Sequence, residues 1–235
     1  MTQARWRSYL RIVAIGLVAI AVAGCSKSYR YKLTVAVNTP DGVKHASSVV
    51  EVLVENVIFP ERGTFSNLRG EALYLDLGSG ARPLVALLTN QIRGYYGWTR
   101  YAGPNLEFVC ELYNMAPPTN IMDAVATIAR QRGPRKIDSG RLPDLVTFAD
   151  VNNPGSVIQV NPDNLQATVG PGVSWNEITL EVTDEPITTG IKSRLPWLSA
   201  YRGKRLDGRT DHGKNTLANT LTTADFAQPS GIEKD

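Results

Sequence analysis

The residues of this chain that could support chemistry are few and scattered. His45 and His212 are the two histidines and Cys25 and Cys110 the two cysteines of a 235-residue sequence. His45 lies in Lys44-His45-Ala46-Ser47-Ser48, shortly after Asp41, so the residue types of a nucleophile, a base and an orienting carboxylate occur together. In such triads the serine oxygen attacks, the imidazole takes its proton, and the carboxylate fixes the imidazole's tautomer. Those roles are normally filled from distant parts of a chain, and no Gly-x-Ser-x-Gly elbow is present. His45 is therefore expected to be an exposed residue in a connection between strands; hydrolysis through His45 and Ser47 or Ser48 is the rival reading. Two distant histidines and a lone thiol make no ligand cluster, so no metal is expected. Asp150, Asn152, Asn153, Asp163 and Asn164 offer oxygens of the kind calcium takes, but these are also turn-forming residue types, and that reading is preferred. Asp184 and Glu185 are adjacent on a strand-like stretch, where neighbours point to opposite faces and do not work as an acid and base pair. No cofactor is expected, because Gly78-Ser79-Gly80 lacks the third glycine and the following helix of a phosphate loop.

Cys25 differs from the other candidates. It ends Val22-Ala23-Gly24-Cys25, which resembles the lipobox of bacterial lipoproteins, where the cysteine is lipidated and becomes the first mature residue. Arg5, Arg7 and Arg11 form a basic start and Ile12 to Ala23 an unbroken apolar run, the layout of an export signal. A permanent span needs roughly 20 apolar residues, more than this run supplies. Residues 1–24 are thus expected to be a signal peptide, and the protein a lipid-anchored one. Each buried methylene contributes about 0.8 kcal/mol, so a single acyl chain holds marginally and two or three hold firmly. Ser26 stands where inner-membrane retention signals of the enteric type place Asp, which favours the outer membrane and a periplasm-facing globular part. With Cys25 acylated, Cys110 has no disulfide partner; in the apolar-rich segment 106–112 it reads as a small buried hydrophobe.

The signal also explains the basic balance of the whole chain. Three of its 25 basic residues precede Cys25 and no acidic one does, leaving 22 against 22. That neutrality gives no argument for nucleic acid as a partner. Tyr95, Tyr96, Trp98 and Tyr101 form the densest aromatic cluster, flanked by glycines. Such side chains stack on sugars or anchor partner proteins, and here they are candidate contacts for a ligand, an envelope protein or a glycan.

The elements that must position these residues are mainly strands. Tyr29, Tyr31, Leu33, Val35 and Val37 alternate with polar residues over 29–38, Thr39-Pro40-Asp41-Gly42 supplies turn chemistry, and a second alternating run starts at Ser48. Residues 71–77 and 84–88 read as a further hairpin. Residues 120–132 form the clearest helix, with Asn120 as its cap and Ile121, Met122, Val125, Ile128 and Ala129 on one stripe. Residues 135–141 read as a linker, and 142–148, 156–160 and 178–183 as strands. Short helices are expected near 163–169 and 188–195. Residues 202–235, poor in large apolar side chains, are expected to be a disordered polar tail.

Several phrases carry a resemblance: residues 29–35, Gly70-Glu71-Ala72, 142–154, Gly170-Pro171-Gly172-Val173, 178–191 and Leu195-Pro196-Trp197-Leu198. Over roughly 29–207 the chain resembles a group of alphaproteobacterial proteins without an established activity, many of them bearing an export or lipoprotein signal. The resemblance implies an envelope location and carries over no catalytic residue.

The expected architecture is α+β and β-rich, with antiparallel hairpins forming a sandwich or half-barrel. A β-rich domain with its helix spans 25–134, and a smaller α+β segment, 135–201, packs on it within the same globular unit. The expected role is non-enzymatic binding or structural support at the envelope, through the membrane-inserted lipid on Cys25. The alternatives are an envelope hydrolase built on His45 and a prophage-borne surface lipoprotein.

Overall fold

A computed structural model of the protein describes residues 25–57, 63–78, 80–90, 92, 98–99, 103–116 and 119–228. The signal-peptide expectation for 1–24 lies outside the described residues.

Alternation produces the first hairpin. β1 (Cys25–Thr39) and β2 (Gly42–Val57) pair in one unbroken register from Cys25↔Asn56 to Thr39↔Gly42. Gly42 closes the turn at φ 106°, a region that residues bearing a Cβ avoid. The Thr39 hydroxyl braces it, donating to the Gly42 carbonyl at 2.7 Å and accepting from the Asp41 amide at 3.2 Å. β3 (Gly63–Glu71) pairs with β2, β4 (Leu73–Leu75) with β5 (Leu84–Ala86), and β6 (Trp98–Thr99) with β7 (Gly103–Pro104). Two helices follow, α1 (Leu106–Leu112) and α2 (Ile121–Ile128). Then come β8 (Arg135–Lys136), β9 (Leu145–Phe148), β10 (Val157–Gln159), β11 (Ser174–Thr183), the single-turn α3 (Leu217–Thr220) and β12 (Ala227–Gln228).

These strands make an antiparallel six-stranded sheet, β12-β3-β2-β1-β11-β8, and a four-stranded one, β10-β9-β5-β4. Neither closes into a barrel. The protein is β-rich α+β, as its patterning indicates. β11 lies between β1 and β8, and β9 lies beside β5, so both sheets draw strands from either side of residue 134. The stretch read as a linker supplies β8, which pairs with β11 at Thr179↔Lys136 and Leu180↔Arg135.

On the large sheet, Tyr29, Tyr31, Leu33, Val35 and Val37 face inward beside Val50, Val52, Leu180 and Val182. The opposite face is polar and internally paired. Glu51 lies between Arg30 at 3.6 Å and Arg69 at 3.4 Å, and Lys32 meets Glu185 at 2.8 Å. α2 packs against β1 and begins where expected, Asn120 accepting from the Met122 and Asp123 amides at 2.9 and 3.3 Å. It stops at Ile128 instead of reaching Arg132. Its last turn tightens, with the Arg130 and Gln131 amides bonding three residues back, and Arg132 turns to cap the Ala129 carbonyl at 2.8 Å. The short helices expected near 163–169 and 188–195 are 3₁₀ turns at Leu165–Ala167 and Ile191–Ser193.

The disordered tail expected over 202–235 is corrected for residues 202–228, which are folded; 229–235 lie outside the described residues. Leu206, Leu221 and Phe226 are completely buried, in a second core with Val85, Leu87, Val146, Phe148, Leu195 and Trp197. The polar stretch before them orders around Asn219, itself fully buried. Its amide nitrogen donates to Asp207 at 2.9 Å and to the Asp211 carbonyl at 3.1 Å, and its oxygen accepts from the Lys214 amide at 3.0 Å. A buried amide satisfied on three sides holds a loop whose side chains bury little apolar surface.

Phe226→Ala leaves a cavity in that second core and is expected to lower the unfolding free energy by about 3–5 kcal/mol, read by equilibrium denaturation.

Candidate functional site

The chemistry read from the sequence does not assemble at His45. The histidine is not in a connection, as expected, but within β2, opposite Ala36, because the turn is tight and β2 starts at Gly42. Along a strand, positions 45 and 47 share one face and 48 points to the other. Ser47 is exposed on the His45 side, whereas Ser48 is buried and its hydroxyl donates to the Glu71 carbonyl at 2.5 Å. His45 makes no hydrogen bond or ion pair with any carboxylate among the described residues. His212 is exposed in the loop ordered by Asn219.

The other polar candidates hold local structure. The Asp150 carboxylate accepts from the Asn152 amide at 2.9 Å, Asn153 from the Gly155 amide at 3.1 Å, and Asn161 from the Asp163 amide at 3.0 Å. These are side chain-to-backbone turns, and two of the candidate calcium ligands, Asp150 and Asn153, take part in them. No group of three or more His, Cys, Asp or Glu poised for a metal occurs among the described residues. Asp184 and Glu185 bind different cations, Arg132 and Lys32.

Cys25 is the first residue of β1, in register with Asn56. No helix among the described residues is long and apolar enough to cross a membrane. Of the aromatic cluster, Tyr95, Tyr96 and Tyr101 lie outside the described residues. The Trp98 backbone forms β6, folding back on Gly103 and Pro104. Cys110 is buried on α1, and burial, followed by the nearby Glu107 carboxylate, pushes its thiol pKa up. A protonated, enclosed thiol is a poor nucleophile.

The structure adds two features that spacing did not reveal. One is an open cleft of about 260 Å³ between α1 and β8. Phe108, Leu112 and Ile137 give it apolar lining, and Glu111, Asp138, Lys136 and Arg141 are its charged groups. Arg141 grips Glu111 through two bonds of 3.0 and 3.1 Å and lies 5.1 Å from the Phe108 ring centre, while Lys136 pairs with Glu177 at 2.8 Å. No serine, cysteine or histidine is among its lining residues. The signal for α1 was Asn105, whose side chain caps the helix by accepting from the Phe108 amide at 2.7 Å.

The other is a buried carboxylate, Asp225. It accepts from the Thr89 hydroxyl at 2.5 Å, the Thr222 amide at 2.8 Å and the Thr222 hydroxyl at 3.1 Å, tying the C-terminal segment to the end of β5. Charge-assisted bonds of this kind stabilise more than neutral ones do.

No protein-family model matches this chain, and no curated protein or solved structure matches it.

The bond from Arg141 and then its charge hold the Glu111 carboxyl below the usual carboxylate range. A depressed carboxyl pKa contributes stability that is present above the unfolded value and is lost as pH falls through the folded one. NMR titration should therefore give Glu111 a midpoint below that of a free glutamate, and Arg141→Ala should return it to the ordinary value.

Proposed function

We propose that the protein is an envelope lipoprotein, anchored by lipid on Cys25, that binds a partner without transforming it. The observation that carries the anchoring half is the place of Cys25 itself, a lipobox-like cysteine that is also the opening residue of β1. In this reading no tether separates lipid from sheet, so the Cys25 end of the sheet rests against the membrane surface. The surrounding surface suits that contact. In register, Cys25 faces Asn56 and Asn56 faces Thr64, which puts the exposed Phe65 two strands away. The exposed Ile121 opens α2, and α2 reaches this end through Lys27 and Asp123 at 3.5 Å. The outer membrane is the favoured address, from Ser26.

The binding half rests on the cleft beside Phe108, with apolar lining, four charged groups and no serine, cysteine or histidine among its lining residues. An envelope protein or a glycan segment fits that chemistry, and the aromatic residues Tyr95, Tyr96, Trp98 and Tyr101 are the second candidate contact. The alphaproteobacterial resemblance supports the envelope location.

Cys25→Ser in the expressing cell is expected to abolish metabolic labelling with a fatty acid and to move the protein to the soluble fraction with its thermal midpoint unchanged. Labelling that persists in this variant would overturn the assignment of the anchor.

A further inference from the structure

The cleft between α1 and β8 holds four charged side chains, and three of them are already matched. Arg141 closes on both oxygens of Glu111 at 3.0 and 3.1 Å, and Lys136 meets Glu177 at 2.8 Å. Asp138 is the exception. It precedes the 3₁₀ turn Ser139–Arg141 without capping it through its side chain, and among the described residues its carboxylate has no hydrogen-bond or ion-pair partner. The cleft therefore presents one unmatched negative charge.

Apolar surface lies beside that charge. Leu112 comes from α1 and Ile137 is next to Asp138 in sequence; both line the cleft and are half-buried, so part of each side chain faces it. Phe108 is buried, with the Arg141 guanidinium 5.1 Å from its ring centre, and does not offer an open ring face. A sugar ring that stacks on an aromatic face finds none among the lining residues.

We infer that the cleft receives a basic side chain, lysine or arginine, of a partner polypeptide, with its methylenes along Leu112 and Ile137 and its charge at Asp138. The inference rests on the cleft being the binding site proposed above, and it names the chemistry of what binds there. Lysine and arginine have the required form, a long apolar stem that packs on apolar surface and ends in a cation. The matched charges sharpen the choice. An incoming carboxylate reaches Arg141 or Lys136 only in competition with Glu111 or Glu177, whereas a cation meets Asp138 directly.

Size favours a side chain over a whole small molecule. At about 260 Å³ the cleft is smaller than the roughly 300–1,000 Å³ pockets that enclose drug-sized ligands, and it is open to solvent. A single side chain occupies it while the chain that carries it stays outside.

NMR titration of the full-length protein with single residues blocked at both ends tests this. Blocked lysine and arginine are the cationic probes, blocked norleucine is a neutral stem, blocked glutamate is an anion, and butylammonium is the cation without a peptide. Lysine and arginine should shift the Leu112, Ile137 and Asp138 amides saturably, with a dissociation constant on the order of millimolar. Norleucine should bind about two- to fivefold more weakly, the difference that one exposed ion pair makes. Asp138→Asn should bring lysine down to the level of norleucine, and Asp138→Lys should make glutamate the best bound of the probes.

Norleucine or glutamate binding as tightly as lysine would overturn the inference while leaving the cleft a binding site. Butylammonium bound more tightly than the blocked residues would overturn the polypeptide as its source. No shift with any probe would overturn the binding role of the cleft and this inference together.

Discussion

The four-stranded sheet is dry on both faces, and this sets what the rest of the chain has to provide. Leu73, Leu75, Leu84, Ala86 and Leu145 belong to the core shared with the six-stranded sheet, whereas Val85, Val146 and Phe148 belong to the core beyond it. A sheet with one wet face needs a single cover. This one needs two, since burying apolar area is the main favourable term in folding. The six-stranded sheet with α1 and α2 covers one side, and the segment from Ile191 to Phe226 covers the other. There the rings of Phe148, Trp197 and Phe226 meet with centres 5.4 to 6.1 Å apart in tilted or edge-on geometry. Aromatic pairs of that kind contribute about 0.5–1.5 kcal/mol each beyond their area.

The chain reaches that second side over the edge of the large sheet. The Thr188 amide bonds to the Val49 carbonyl at 3.0 Å and the Val49 amide to the Thr188 hydroxyl at 2.8 Å, and then the Ile191 amide meets the Glu71 carboxylate at 2.7 Å. Gly70, at φ 138°, permits the crossing: a Cβ there would come within 3.2 Å of both Ile187 and the Val49 carbonyl. The crossing, the Asn219-centred loop and the Asp225 clamp together bring a polar stretch of sequence to the surface that requires cover.

What was legible in the sequence follows from the same asymmetry. β1 and β2 announce themselves because one face is wet, so Tyr29 to Val37 alternate with polar residues. The run Leu84-Val85-Ala86-Leu87-Leu88 was readable as a strand, but its lack of alternation is also the mark of cover on both sides. The cover itself has no period to detect: Leu206, Leu217, Leu221 and Phe226 are isolated among polar residues and are brought together by tertiary hydrogen bonds to Asn219 and Asp225. α1 was missed for another reason. Seven residues are too few for a helical stripe to stand out, and only its Asn105 cap marks it. Of the candidate sites, the surroundings of His45 were legible only as composition, since the strand that carries it separates Ser47 from Ser48 by face. The cleft beside Phe108 joins residues of α1 to residues around β8, a proximity that spacing does not encode.

The unbroken β1 also determines how the protein meets mechanical load. A force applied at Cys25 runs along the axis of β1, which is hydrogen-bonded on one side to β2 and on the other to β11. Both ladders are then loaded in shear, with many bonds sharing the force at once, instead of being unzipped one rung at a time. Traction at that point therefore loads the β2 ladder from Cys25 onward and the β11 ladder from Arg30 onward.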